Sequence, residues 1–316
     1  MSRSILKKIL RKTNKSGTTN IYKKIYMILP CFHKKVHFIF QPYLFLIKLD
    51  LTFFIIFYSF MLFIREKNGF YFGGFEEFND SSILSGFSIL KSNKDPLNFA
   101  LHTDDNESFV LSCREKFFKS LSINPKNLIS LIQTHSSNIF IPSIKDRGKG
   151  SISLTDAPKA DAILISIPDI PCMILTADCI PFFIRAKNSS IAGLVHSGWK
   201  GCKEKILLKF IKILIDKYKI PPKDILIGAG PYIKECCYEV SEEFTELFPK
   251  DFFKTRDNKI YFDLFKASIY DILELKIPEK NILNTNYCTC CNKEMFPSWR
   301  RDKTIQRMAS FIMIKS

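Results

Sequence analysis

Beyond residue 70 the chain alternates short apolar runs, bounded by turn residues, with longer stretches whose apolar positions recur at helical spacing. This alternation predicts an α/β fold. Pro171-Cys172-Met173-Ile174-Leu175 and Ile191-Ala192-Gly193-Leu194-Val195 each read as a buried strand. A third apolar stretch covers 128–132. Residues 224–227 predict a strand running into Gly228-Ala229-Gly230-Pro231, and 310–314 a closing strand. Helical spacing predicts a helix over 107–121, with Phe109, Val110, Cys113, Phe117 and Leu121 on one face. It predicts a second over 202–218, striped by Ile206, Phe210, Ile213 and Lys217 and stopped by Pro221-Pro222. Ser241 ahead of Glu242 and Glu243 has the form of a capped helix start, and 261–275 reads as a further helix. The glycine- and aromatic-rich stretch 69–87 predicts irregular strands. No repeat is present, and no glycine-rich fingerprint follows a first strand, which argues against a dinucleotide fold.

The first 69 residues are of another kind. They are Lys/Arg-rich as far as Lys35, then apolar and aromatic through Ile64, with Lys48 and Asp50 interrupting. The uninterrupted apolar run, 51–64, falls short of the roughly 20 residues that a spanning helix needs. Lengthening it back to Val36 places two ions inside the span at a cost of several kcal/mol. The basic region is too long for a secretion signal, and no small-residue cleavage site follows. Three readings stand: an in-frame upstream extension that is not translated, with Met61 as a later start; a membrane anchor; or an unordered appendage. The abundance of Phe, Ile, Lys and Asn favours the first. Residues 70–316 are expected to form one catalytic domain.

Charge changes the picture less than its total implies. The net charge is +16, but residues 1–66 hold twelve Lys/Arg against two acidic residues, which leaves +6 for the other 250. The catalytic part is mildly basic, as suits an anionic co-substrate. It has no basic repeat or interleaved aromatic–basic stripe, so nucleic acid is not the expected partner. Ten cysteines in a chain of 316 residues, most of them in apolar runs, do not make a secreted disulfide framework and point to a reducing, cytoplasmic setting. Cys288-Thr289-Cys290-Cys291 lacks a second ligand pair at zinc-ribbon spacing and reads as ordinary thiols. Adjacent Cys236-Cys237 reads the same way.

The chemistry concentrates where apolar runs end. Thr176-Ala177-Asp178-Cys179 closes one predicted strand and His196-Ser197-Gly198-Trp199-Lys200-Gly201 another, so a sheet would deliver a thiol and an imidazole to one surface. His135, in Gln133-Thr134-His135-Ser136, follows the 128–132 stretch. Beyond residue 70 only His102, His135 and His196 are histidines. Two histidines and a cysteine make a three-ligand zinc site with one open position, the arrangement of catalytic zinc. A Cys179–His196 nucleophile pair and a buried thiol beside hydrogen-bonded histidines are the competing readings. His102 reads as a structural histidine. Asp161 and Asp178 lie beside strand ends, where a carboxylate can orient a metal-bound histidine or hold loop amides. The loop carrying Lys200 leads into a helix N-terminus, and Arg300 and Arg301 add guanidinium forks, so these three are candidate phosphate-binding residues.

In chain order, Q-T-H-S at 133–136, K-A-D-A at 159–162, T-A-D-C-I-P at 176–181, G-L-V-H-S-G-W-K-G at 193–201, I-G-A-G-P-Y-I at 227–233, C-Y-E-V at 237–240 and P-S-W-R-R-D at 297–302 resemble the blocks of one bacterial family. It is the laccase-domain family, also called multicopper polyphenol oxidoreductases or peptidoglycan editing factors and regarded as zinc-dependent purine nucleoside phosphorylases. The resemblance implies mixed β-sheets packed together with helices outside. It implies His135, Cys179 and His196 as metal ligands, zinc as the metal with copper as the alternative, and phosphorolysis of adenosine, inosine and methylthioadenosine with adenosine deamination beside it. Cys179, His196 and Asp178 are the expected catalytic residues, and a purine nucleoside and phosphate the expected partners. Membrane contact is expected only through the N-terminal extension. The family carries a glycine before the last arginine of its closing block, whereas Ile305-Gln306 precede Arg307 here. Two other activities compete: copper-dependent phenol oxidation, for which three histidines are too few to build a multicopper cluster, and amide cleavage of peptidoglycan precursors by Cys179 with His196. A non-enzymatic, membrane-surface partner role for the N-terminus is a further reading.

Overall fold

The computed structural model describes residues 62–90 and 97–316. The readings of residues 1–61, including the anchor and the start at Met61, lie outside the described residues. Among the described residues, no helix is long and apolar enough to cross a membrane.

Among the described residues, fifteen strands and five α-helices follow one another. The strands are β1 (Leu62–Lys67), β2 (Phe70–Phe75), β3 (Ile83–Ile89), β4 (Ile129–Ser130), β5 (Ile139–Phe140), β6 (Ala162–Ile165), β7 (Cys172–Thr176), β8 (Ile180–Ala186), β9 (Ile191–Ser197), β10 (Ile225–Ala229), β11 (Glu239–Val240), β12 (Phe253–Arg256), β13 (Lys259–Phe262), β14 (Ile282–Asn284) and β15 (Met308–Ile314). The helices are α1 (Glu107–Ser120), α2 (Trp199–Lys203), α3 (Ile206–Lys212), α4 (Leu264–Leu273) and α5 (Trp299–Asp302). One six-stranded sheet runs β1-β2-β3-β15-β7-β4, a second β14-β10-β8-β9-β6-β5, and a small third sheet β11-β13-β12. Both large sheets are mixed: β4 is parallel to β7 and β10 to β14, while β8 and β9 pair antiparallel.

Side-chain alternation explains the layering. Along β7, Cys172 and Ile174 join the core that also holds Ile163, Phe183, Leu194 and Leu226 of the second sheet. Met173 and Leu175 face the opposite way, into a core shared with Phe117 and Phe118 of α1. In the second sheet, Val195, Phe182 and Ile227 point away from the first and pack with Phe210 of α3 and Leu264 of α4. The two sheets are therefore packed together with helices outside. Strands so placed are buried on both faces, which is why they read as continuous apolar runs rather than as polar–apolar alternation. The ring of Phe210 lies against Gly193, where an added Cβ would come within 2.5 Å of it. That bare backbone seats α3 close on β9.

Several predicted elements shift. The helix over 202–218 starts earlier, at Trp199, and breaks at Lys205, whose backbone is left-handed at φ 60°. It resumes as α3 and passes into a π-helical turn, Ile213–Lys217. The buried stripe is Ile206, Leu207, Phe210, Ile211 and Leu214, and Lys217 stands outside it. Ser241 begins no α-helix. The segment Glu243–Leu247 is a 3-10 turn without a side-chain cap, held by Phe244 and Phe248 packing on Phe262 at 5.2 and 4.7 Å between ring centroids. Tyr261 belongs to β13, and α4 begins at Leu264, capped by Asp263, which accepts from the Lys266 N–H. The stretch 69–87 is regular: β2 pairs with both β1 and β3 in antiparallel register. Strand β1 falls within 62–69, residues grouped above with the extension.

Candidate metal centre

Strand β7 belongs to the first large sheet and β8 to the second, and only Ala177, Asp178 and Cys179 separate them. The chain makes this crossing with Asp178 at φ 95°, in the half of backbone space that side chains avoid. Cys179 is thereby placed, partly exposed, beside the end of β9, where Pro181 pairs with His196. His135 comes from the loop between β4 and β5, also left-handed at φ 58°. The three ligand atoms of His135, Cys179 and His196 lie within 4.8 Å of one another, with His135 Nε2 3.9 Å from Cys179 Sγ.

Asp161, fully buried just before β6, holds this arrangement. Its carboxylate accepts from the backbone N–H groups of Thr134 (3.1 Å), His135 (2.9 Å) and Ser136 (2.7 Å), and from the Ser136 hydroxyl (2.7 Å). It also accepts from His196 Nδ1 at 2.8 Å, while the Asp161 carbonyl accepts the His196 N–H at 2.7 Å. One carboxylate therefore pins the strained loop that carries His135 and fixes the His196 tautomer, which leaves Nε2 for a ligand. Gly198 completes the packing: a Cβ there would stand 2.8 Å from Cys179 Sγ and 3.1 Å from His135 Cδ2.

The electrostatics follow from these contacts. Burial alone would raise the Cys179 thiol, but the His196 charge and hydrogen bonds from His135 and His196 outweigh it and bring it down to about 6. Burial would lower His196, yet the Cys179 charge and the Asp161 bond raise it to about 9. Burial likewise opposes ionisation of Asp161, and the bonds from His196 and Ser136 hold it well below the usual carboxylate range. These shifts all run towards a thiolate beside an imidazolium, backed by a carboxylate.

The donor set suits a metal ion. Two imidazole nitrogens and a thiolate around a tetrahedral zinc would stand about 3.6 Å apart, close to the 3.9 Å found between His135 and Cys179. His196 already donates its other ring N–H to a carboxylate, as metal-bound histidines do. His135 is exposed, so one side of the cluster is open.

The other predicted site residues divide. The Asp178 carboxylate accepts from Thr289 Oγ1 (2.6 Å) and the Arg300 N–H (2.7 Å), and its carbonyl from the Ile233 N–H (2.9 Å). It braces loops rather than facing the ligands. Arg301 is occupied by the carbonyls of Thr289, Cys290 and Phe296 and by Asp302, so its fork is structural and not the phosphate clamp expected of it. Arg300 bonds the Glu239 carbonyl and lies over the Tyr238 ring at 5.0 Å. Lys200 is exposed in α2, its ammonium 5.5 Å from the Trp199 ring.

Two residues outside that set stand near the cluster. Arg307 donates to the carbonyls of Thr304 and Gln306, and its backbone N–H to Asn98, in the field of Cys179 and Asp178. Gln306 is not among the positive-φ residues, so this loop needs no glycine. His102 is lowered by partial enclosure, then by the charges of Arg307, Arg114, His196 and His135, which places it in the same neighbourhood. The thiols of Cys236, Cys237, Cys288 and Cys291 form a second cluster, also within 4.8 Å of one another. Read in sequence as ordinary thiols, they stand together because pairing of β10 with β14 brings the two loops near, a contact that spacing along the chain does not display.

Residues 85–315 match the family described as multi-copper polyphenol oxidoreductase laccase. A purine nucleoside phosphorylase of Clostridium acetobutylicum is 32% identical over 252 residues, covering 76% of this chain and 96% of that protein. One of Borreliella burgdorferi is 33% identical over 224 residues, covering 68% and 88%. Among solved structures, a Bacillus licheniformis hypothetical protein, YfiH, superimposes with a TM-score of 0.73 at 26% identity, over 80% of this chain and 99% of that one. YlmD from Geobacillus stearothermophilus does so with a TM-score of 0.73 at 25% identity, over 80% and 98%.

Proposed function

The chain belongs to the multi-copper polyphenol oxidoreductase laccase family, and from that premise we propose that it is a zinc-dependent purine nucleoside phosphorylase. The observation that carries the reading is the Asp161 carboxylate, which ties the His135 loop and His196 Nδ1 into one unit facing Cys179. The phosphorylase names of relatives at 32% and 33% identity support the reaction class. Adenosine, inosine and methylthioadenosine are the proposed substrates.

In phosphorolysis a phosphate oxygen bonds to the ribose anomeric carbon as the carbon–nitrogen bond to the purine breaks, and the base departs with the bonding pair. The protein must hold a dianion against a developing oxocarbenium and stabilise charge on the base. His135, Cys179 and His196 would hold the zinc, which when bound supplies Lewis acidity at the reacting group. Lys200, Arg300 and Arg307 are the cationic groups that would bind phosphate; Asp178 accepts the Arg300 backbone N–H, and the charges of Cys179 and Asp178 act on Arg307. Asp161 keeps His196 oriented, and so acts as a positioning residue. Adenosine deamination, in which water adds to C6 of the purine and the exocyclic amine leaves as ammonia, is the proposed second activity.

Chromatography of the purine base released from each nucleoside, with and without phosphate, tests this reading in the metal-loaded protein. Phosphate-dependent release of the base with ribose 1-phosphate is the expected result. No cleavage of any of the three nucleosides would overturn it.

The thiolate–imidazolium pair of Cys179 and His196 favours one other reading, a Cys–His hydrolase. Alkylation separates the two. A nucleophilic thiolate reacts equally fast with and without chelator, whereas a metal ligand reacts only once the metal is removed. Copper-dependent phenol oxidation is disfavoured by composition, because three histidines beyond residue 70 cannot build the several sites that oxygen reduction uses.

A further inference from the structure

Four thiols meet away from the His135–Cys179–His196 centre. Cys236 and Cys237 occupy the turn before β11, and Cys288 and Cys291 the turn that follows β14. Cys291 Sγ lies 3.6 Å from Cys236 Sγ and 3.4 Å from Cys237 Sγ, and all four sulfurs are within 4.8 Å of one another. Sulfurs around a tetrahedral zinc stand about 3.8 Å apart, given Zn–S bonds of about 2.3 Å. A disulfide needs about 2.05 Å. The observed separations fit the first.

The backbone at the cluster is already shaped for a ligand. Cys288 forms a bridge with Tyr232, and the Thr289 N–H donates to the Tyr232 carbonyl at 2.9 Å. The Cys288 carbonyl accepts from the Asn292 N–H and from Asn292 Nδ2, which closes the Cys288-x-x-Cys291 turn. On the other loop, the Cys237 N–H donates to the Lys234 carbonyl, so both adjacent cysteines lie in a turn instead of alternating across a strand. Cationic side chains bond the two loops that carry the sulfurs. Arg256 donates to the Cys236 carbonyl and Arg301 to the Cys290 carbonyl, with Lys234 one turn away. Four thiolates on a divalent ion leave a net charge of −2, which these groups offset.

We propose that Cys236, Cys237, Cys288 and Cys291 form a second, structural metal centre that binds zinc through four thiolates. Binding displaces up to four protons, with no change of oxidation state. Soft sulfur donors with no imidazole or carboxylate among them select a thiophilic ion, and a closed set of four protein ligands is the structural arrangement. The centre staples the β10–β11 loop to the loop between β14 and α5. The stapled segments are those that reach the other site: Thr289 donates to the Asp178 carboxylate, and the Ile233 N–H to the Asp178 carbonyl. The position and backbone angle of Asp178 then depend on a metal that never touches substrate.

Zinc content and the zinc K-edge X-ray absorption of the purified full chain test this. The wild type is expected to hold two zinc atoms per chain. The double variant His135→Ala/Cys179→Ser, which cannot fill the other centre, should keep one, with a shell of sulfur alone. Cys288→Ser/Cys291→Ser should also fall from two to one, keeping the mixed nitrogen–sulfur shell. If that variant fails to fold, the sulfur-only shell of His135→Ala/Cys179→Ser decides the matter alone. A zinc-free His135→Ala/Cys179→Ser protein that is folded, a residual shell containing nitrogen, or a disulfide from Cys291 to Cys236 or Cys237 in freshly isolated protein overturns the proposal.

Discussion

Asp161 accepts the Nδ1 proton of His196 at 2.8 Å, and its carbonyl accepts the His196 backbone N–H at 2.7 Å, so the last residue before β6 grips a β9 histidine at both ends. The side chain and main chain of His196 are thus set by a single partner. The same carboxylate also receives the amides of the His135 loop, so one substitution would loosen two ligands together.

Asp161→Asn tests this coupling with little change of volume. An amide offers one acceptor oxygen where the carboxylate offers two, and it presents an N–H2 towards donors. Some of the contacts from Thr134, His135, Ser136 and His196 must then be lost. Loss of a partner of this kind typically weakens metal binding about 10–100-fold. Competition with a chromophoric chelator measures it, and an unchanged affinity would show that the ligands hold their places without the carboxylate.

Gly198→Ala probes the packing beside Cys179. The new Cβ would stand 2.8 Å from Sγ and 3.1 Å from the His135 ring, closer than such atoms approach without displacement. Overpacking of this kind costs about 1–3 kcal/mol, and here it falls on two ligands. The expected outcome is a folded protein with weakened metal binding, read by circular dichroism together with metal content. Full occupancy would mean that the thiol has room to retreat.

Stability of the chelated protein should depend on pH in two directions. His196 is held charged up to about 9, against about 6.5 in the unfolded chain. Its contribution is therefore complete below pH 6.5 and lost as pH rises towards 9. Asp161 is depressed below the unfolded value of about 3.9, so its contribution is complete above that value and lost as pH falls further. Cys179 runs the other way: held down to about 6 against about 8.5 in the unfolded chain, its contribution is complete above pH 8.5 and lost as pH falls towards 6. That gain offsets the His196 loss, so metal-free protein should hold a broad Tm maximum between about pH 4 and 8.5. A bound metal takes Cys179 as thiolate and His196 neutral, so the loaded protein should gain Tm as pH rises from about 6 to 8.5. Parallel Tm curves for the two forms would contradict the assignment of His196.

What the sequence displayed, and what it hid, follows from the range of the interactions. Strands β7 and β9 are legible because each is buried on both faces, and Cys179 and His196 stand out because they follow or close those runs. The break at Lys205 carries no glycine or proline, and the seating of Phe210 on Gly193 is a contact between a helix and a sheet; local pattern encodes neither. The residues 159–162 draw attention to Asp161, but the six hydrogen bonds to its carboxylate come from a loop and a strand distant along the chain. The cysteine cluster was hidden for the same reason, since Cys237 and Cys291 are 54 positions apart. Arg301 satisfies loop carbonyls, and in sequence such a guanidinium looks the same as one that waits for an anion.

Cys179→Ser is the sharpest test of the candidate centre. Serine matches the thiol closely in volume, so the turn between β7 and β8 and its Asp178 contacts should persist. A neutral hydroxyl is a far poorer zinc ligand than a thiolate. With Cys179 gone, His196 also loses the neighbouring negative charge that helps to hold it protonated, the largest influence raising it. The variant is expected to fold with a Tm near that of chelated wild type, to lose its metal from this centre, and to show no nucleoside cleavage. Cys113→Ser, in α1 and apart from both clusters, should retain metal and activity. Metal analysis and the phosphorolysis assay on the two variants decide it. If Cys179→Ser binds and turns over like the wild type, Cys179 is neither ligand nor nucleophile, and the thiol between the two sheets has only a packing role.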